Sequence, residues 1–334
     1  MKKLLEVKDL VQWFDLTTDL IDRIKFRAGK FTLEKKHVNA VNGVSFSIGK
    51  GEVFGLVGES GCGKSTTAKT IARIFEPKAG EIRYRGEDIS KYGYRELLPF
   101  RRKIQMIFQD PYASLNPRQK LADIISEPML FHQVVQDQKE AEQRVLDILE
   151  KVGLNREHAT RYPHQFSGGQ RQRIGIARAL AVGPEFIIAD EPVSALDVSI
   201  QAQILNILMD LRDEFQLSYL FIAHDLSVVK HISDRLGVMY LGYIVETGGK
   251  DYIFQNPSHP YTRALFAAVP TIDEEVATTA TELKGQVPNP IDLPSGCCFQ
   301  ARCPDVRGVC YQEKPPLKKI DHDHYVACHL VASK

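Results

Sequence analysis

The sequence has almost no charge of one sign to spare: 43 Lys and Arg stand against 42 Asp and Glu, a net charge of +1 over 334 residues. So balanced a chain offers no electrostatic case for a nucleic-acid partner. It also lacks any apolar run near the roughly 18–20 residues that a bilayer-crossing helix needs, so a membrane role must come through a partner. Its start, MKKLLEVKDLVQWFD, places charges inside what would be the apolar core of an export signal, which points to the cytosol. Internal repeats and low-complexity tracts are absent. Cysteine is scarce and unevenly spread: Cys62 stands alone upstream, and Cys297, Cys298, Cys303, Cys310 and Cys328 crowd the end of the chain. In a cytosolic protein such a crowd favours a metal over disulfides, yet the C-x2-C knuckles of common zinc ribbons are missing.

What is present suits an ordinary globular protein, 43% hydrophobic and 25% charged, with length for about two domains. Residues 40–57, AVNGVSFSIGKGEVFGLV, alternate apolar and polar and then turn fully apolar, as strands do. KSTTAKTIARIF follows as a helix. In 139–152, Ala141, Val145, Ile148, Leu149 and Val152 form one apolar stripe of a helix that Gly153 closes. A helix from about Gly169, a strand FIIAD, a helix over 200–215 and a strand SYLFIAH complete the pattern. Short apolar strands alternating with helices predict a parallel sheet covered on both faces. From about 270, Pro, Thr and acidic residues predict a linker ahead of the cysteine-rich tail.

The stretch GLVGESGCGKSTTAK carries G-x-x-x-x-G-K-[ST] at Gly58, Gly63, Lys64 and Ser65, after a strand and at a helix start. There glycines let backbone N–H groups close on phosphate oxygens at the positive end of a helix. Lys64 would reach the β- and γ-phosphates and Ser65 would ligate Mg²⁺. Cys62, near that helix start, is expected to have a lowered thiol pKa. FIIAD delivers Asp190, suited to the Mg²⁺ shell, and Glu191 next to it can polarise a water at a strand end. Upstream, Ser167-Gly168-Gly169-Gln170 opens an Ala- and Arg-rich helix. Downstream stand SALD, residues 194–197, and FIAHD with His224; Gln109 ends IQMIFQ.

In that order over about residues 4–260, these motifs resemble an ABC-type nucleotide-binding subunit. The resemblance implies an α/β P-loop NTPase fold, with a mixed sheet core, an antiparallel β part and a helical subdomain over about 110–180 carrying the signature motif. It makes Gly58, Glu59, Ser60, Gly61, Cys62, Gly63, Lys64, Ser65 and Thr66 the Walker A loop. Gln109 becomes the Q-loop glutamine and a Mg²⁺ neighbour, and Ser167–Gln170 the signature, with Phe166 where leucine is commoner. Asp190 becomes the Walker B aspartate, Glu191 the catalytic carboxylate, Ser194–Asp197 the D-loop and His224 the switch histidine. Phe31 is the candidate for stacking on adenine. In this family two subunits pack head to tail, and the signature of one closes over the γ-phosphate held by the other.

The stretches MIFQDPYASLNPR, EPVSALDVSIQAQ, NPSHPYTRALFAAVP and PSGCCFQARCP resemble the ATP-binding subunits of bacterial oligopeptide/dipeptide importers. The long segment before AVNGVSF is similar to the second of their two ATPase types. This implies an ATP-hydrolysing subunit bound at the cytoplasmic face of the inner membrane. Its partners would be a paralogous ATPase, two transmembrane permeases and an extracytoplasmic peptide-binding protein. Nickel or oligosaccharide import and a soluble ABC ATPase acting on nucleic acid are the alternatives. The implied domains are 1–265, the nucleotide-binding domain, and 266–334, a small Cys-rich extension. By the same resemblance Cys297, Cys303, Cys310 and Cys328 hold a [4Fe–4S] cluster. Zinc and ligand-free thiols remain open, as does Cys298 in place of Cys297. The tail's distance in sequence from the ATP residues suggests a structural role for it.

Overall fold

A computed structural model describes residues 2–16, 24–27, 30–33, 36–267, 288–321 and 323–331. The expected linker falls largely on 268–287, outside the described residues. The chain forms two compact units, one of residues 1–4, 48–55 and 91–234, the other of 5–47, 56–90 and 235–334.

In the first unit, residues 53–55, Ser218–Ile222, Phe186–Asp190 and Ile104–Ile107 lie side by side in that order. The last three run parallel, with Ile222 opposite Asp190 and Ile107 opposite Ala189. Every residue of Phe186–Asp190 and Ser218–Ile222 is buried. Parallel strands need both faces covered, so these two are apolar apart from Asp190 and Ser218 rather than alternating. Their register puts Asp190 and Ile222 at one edge, and each strand runs out there into a loop bearing candidate residues.

Between Ile104–Ile107 and Phe186–Asp190 the chain inserts helices Leu121–Phe131, Gln138–Lys151 and Gly168–Leu180, which pack on one another. Asp137 caps the second by accepting from the Glu140 N–H at 2.8 Å, satisfying a donor that the helix itself cannot. Ala141, Val145 and Leu149 are buried on one face. Val145 and Leu149 each add about 1.5–3 kcal/mol when fully buried. Gly153, at φ 72°, ends the helix in the left-handed turn that glycine takes without penalty.

In the second unit, the stretch of residues 5–15 pairs antiparallel with Ala79–Tyr84, Leu5 opposite Tyr84 and Val7 opposite Ile82. His37–Gly49 lies on its other side. Leu5, Val7 and Leu10 are buried; the register shifts between Lys8 and Val11, where Asp9 takes φ 46°. Arg235–Tyr240 and Tyr243–Gly249 form a hairpin. Its two turn residues, Leu241 and Gly242, have φ of 46° and 80°, the positive values that tight hairpins require. The Asn42 side chain donates to the Leu241 carbonyl at 2.9 Å, and its backbone N–H to the Gly242 carbonyl at 2.8 Å, fixing that turn. Past residue 288, His324–Val326 pairs with Tyr243–Gly249 and Lys318–Asp321 with His324–Val326. The C-terminal segment thereby extends the sheet of this unit.

Candidate nucleotide site

Strand Val53–Val57 feeds residues 58–63, and helix Lys64–Ile71 follows in the second unit. Two glycines are needed here for space as well as conformation. Gly58, at φ 153°, lies against the Met239 carbonyl oxygen, and Gly63, at φ 107°, against the Ala40 carbonyl oxygen; a Cβ at either would collide with backbone. Gly63 caps the helix without a side-chain bond, so no side chain competes for the N–H groups of the first turn. The Gly242 N–H donates to the Cys62 carbonyl at 2.8 Å, tying the hairpin turn to the loop. Lys64 is buried, and its Nζ donates to the Gly58 and Glu59 carbonyls at 2.8 and 3.0 Å.

Cys62 corrects the sequence expectation. The thiol is 1% exposed, and burial pushes its pKa up, outweighing the Lys64 ammonium nearby. Desolvation disfavours the thiolate more than the helix start and the cation favour it.

In the first unit, three candidates meet on one atom. The Gln109 side-chain amide donates to Glu191 Oε2 at 3.0 Å, and His224 Nδ1 lies 3.2 Å from the same oxygen. Glu191 sits just past strand Phe186–Asp190 at φ 46°. A non-glycine residue there stores about 1–3 kcal/mol and needs surrounding structure to hold it. The Glu191 N–H donates to the Ile222 carbonyl at 3.0 Å, and the Glu191 carbonyl accepts from Ser194 Oγ at 3.1 Å. Asp190 is buried beside it.

Ser167 and Gln170 form a reciprocal cap: Gln170 N–H to Ser167 Oγ at 3.3 Å, Ser167 N–H to Gln170 Oε1 at 3.1 Å. Ser167 and Gly168 are exposed, whereas Gly169 and Phe166 are buried. The same helix holds the loop after Gln109. The Arg171 guanidinium lies 3.5 Å from the Tyr112 ring centroid, and Arg178 donates to the Ser114 carbonyl. Asp197 caps helix Val198–Phe215 through its backbone, without a side-chain bond. Phe31 pairs with Phe26 in the hairpin of Ile24–Arg27 and Lys30–Leu33; its side chain lies outside the described residues.

Sequence reading missed Tyr261 and Arg302, although both stand in the stretches NPSHPYTRALFAAVP and PSGCCFQARCP. Tyr261 Oη accepts from the Glu59 N–H at 2.9 Å. Arg302 grips both Glu59 carboxylate oxygens, Nη1 at 2.7 Å and Nη2 at 3.0 Å. The tail, distant in sequence, therefore touches the phosphate loop. Among its cysteines, the Cys297 N–H donates to the Cys310 carbonyl at 2.8 Å. A hydrogen bond from Cys298, helped by one from His259, holds the Cys297 thiol well below the usual cysteine range, while the same Cys297–Cys298 bond, with burial, pushes Cys298 up. Burial also pushes Cys303 up to about 11. Among the described residues no group of three or more His, Cys, Asp or Glu is arranged to hold a metal ion.

The ABC transporter family profile matches residues 41–194, and that of the oligopeptide/dipeptide transporter C-terminal region matches 245–310. Over 98% of this chain and 97% of the relative, the sequence is 50% identical to oligopeptide transport ATP-binding protein AppF of Bacillus subtilis (strain 168). It is 48% identical to dipeptide transport ATP-binding protein DppF of Escherichia coli (strain K12), over 94% of this chain and 93% of that one. Among solved structures, a post-hydrolysis dimer of the ATP-binding cassette MJ0796, bound to ADP and Pi, superposes with a TM-score of 0.63 at 27% identity. That match covers 74% of this chain and 98% of the cassette. The chain belongs to the oligopeptide/dipeptide transporter family of ABC ATP-binding proteins.

Proposed function

We propose that this chain is the ATP-hydrolysing subunit that powers an importer of di- and oligopeptides. The observation that carries the reading is the Glu191 carboxylate shared by Gln109 and His224, in a chain whose near full-length relatives are named for peptide transport. Residues 58–66 would cradle the triphosphate, with Lys64 on the β- and γ-phosphates. Ser65, Gln109 and Asp190 are the hard oxygen donors that Mg²⁺ takes. When bound, the ion would offset charge building on the phosphate oxygens.

Glu191 is the base that orients the attacking water and takes its proton. Gln109 and His224 hold its carboxylate in one rotamer, which the strained backbone alone would not ensure. The exposed Ser167 and Gly168 suit contact with the γ-phosphate held by a second subunit, a paralogous ATPase in a head-to-tail pair. No helix among the described residues is long and apolar enough to cross a membrane. Two permease subunits would therefore form the channel, an extracytoplasmic protein would deliver the peptide, and this subunit would lie at the cytoplasmic face of the inner membrane.

The extension 266–334 remains the proposed site of a [4Fe–4S] cluster, with zinc as the alternative. Support comes from the family resemblance and from Cys297, Cys303, Cys310 and Cys328 lying in one unit. The described arrangement is not a ready-made metal centre, so no step of the mechanism passes through it. Protein purified without oxygen is expected to be brown with broad visible absorbance; a colourless preparation carrying zinc, or no metal, overturns the cluster.

The transporter reading predicts that proteoliposomes holding the assembled complex accumulate labelled peptide only when MgATP and the peptide-loaded binding protein are both supplied. Accumulation of nickel or an oligosaccharide instead, or peptide entry without ATP, contradicts it. Buried Cys62, its thiolate disfavoured, is expected to react with iodoacetamide at neutral pH far more slowly than in the unfolded chain, and slower still with MgATP. Reaction at the unfolded rate would place Cys62 outside the loop's interior.

A further inference from the structure

We propose that Arg302, in the cysteine-rich C-terminal segment, is a positioning residue for the phosphate loop: it neutralises and aims Glu59, and so sets the affinity for nucleotide. The inference rests on residues 58–66 being the nucleotide cradle.

A carboxylate is the wrong charge for this position. Glu59 is the second residue of a loop that would wrap a polyanion, and an unpaired carboxylate there would repel the phosphates. Its charge is instead matched by Arg302, which is 9% exposed and forks onto both carboxylate oxygens at 2.7 and 3.0 Å. Such a two-pronged bond fixes direction as well as charge, and a lysine cannot reproduce it.

The guanidinium is itself held in place. The Arg302 N–H donates to the Phe299 carbonyl at 3.0 Å, closing a turn whose Phe299 ring is buried. That ring packs against Tyr240 and Tyr261, with centroids 5.2 and 5.5 Å away. Tyr261 then accepts the Glu59 N–H, and Lys64 Nζ donates to the Glu59 carbonyl. Backbone donor, backbone acceptor and carboxylate of Glu59 are thus each engaged, two of the three from residues beyond 260. A mere anchor for the tail would not need to seize the one acidic residue of the phosphate loop.

The test is equilibrium binding of MgATP to the full-length chain, read by displacement of a fluorescent ATP analogue. Freeing a carboxylate beside the phosphates predicts that Arg302→Ala weakens binding about tenfold. With Glu59→Gln already present, Arg302→Ala should change the dissociation constant by less than about threefold, since no charge is left to free. In the assembled transporter the loss should read in the KM for ATP, with kcat changing far less. Arg302→Lys, which keeps the charge but not the fork, should fall between wild type and Arg302→Ala, and replaces the alanine variant if that does not fold. Unchanged affinity in Arg302→Ala, or an equal loss with and without the Glu59 carboxylate, overturns the proposal. A wild-type chain that binds no MgATP overturns the cradle reading and this inference with it.

Discussion

A loop that is to bind phosphate through its backbone must be held by something other than its ligand, and in the proposed cradle at 58–63 close backbone packing does the holding. Gly58 and Gly63 press on the Met239 and Ala40 carbonyls with no room for a Cβ, and the Gly242 N–H bonds the Cys62 carbonyl. Since each contact is between main-chain atoms, a side-chain change elsewhere cannot easily loosen them. The turn at Leu241 and Gly242 needs two positive φ values, and the Asn42 bonds stabilise it.

In the first unit, strain is concentrated at Glu191, the proposed catalytic base. Glu191 takes a left-handed backbone at the end of a fully buried strand. Its main chain is tied to Ile222 and Ser194, and one side-chain oxygen collects both Gln109 and His224. Gln109 in turn precedes a loop that Arg171 and Arg178 bind to the helix opened by Ser167. A shift of Gln109 would thus be felt both at the carboxylate and at the signature helix. In the proposed transporter this contact chain would link a partner touching that loop to Glu191.

The elements with strong periodicity or full burial were readable from sequence: the helix with its stripe at Ala141, Val145 and Leu149, and the strands FIIAD and SYLFI. So was the strand–loop–helix at Val53–Ile71, whose glycine spacing suits a chain that wraps phosphate. What escaped depends on distant residues. The Cys62 thiol follows burial, which no local pattern reveals, rather than the nearby helix start and Lys64. Arg302 and Tyr261 stood in stretches used only for family resemblance, and their role appears once the chain brings residue 302 to residue 59. Distance along the chain was a poor guide to the tail, whose strands join the sheet through Tyr243–Gly249.

In the proposed ATPase, Glu191 is the catalytic base. Replacing Glu191 by Gln keeps size and hydrogen bonding while removing the base, so turnover by the assembled complex should fall by about 10²–10⁴-fold. The bound nucleotide should then remain ATP rather than ADP when the complex is recovered and its nucleotide analysed. Recovery of ADP, with turnover near the wild-type rate, would contradict the account.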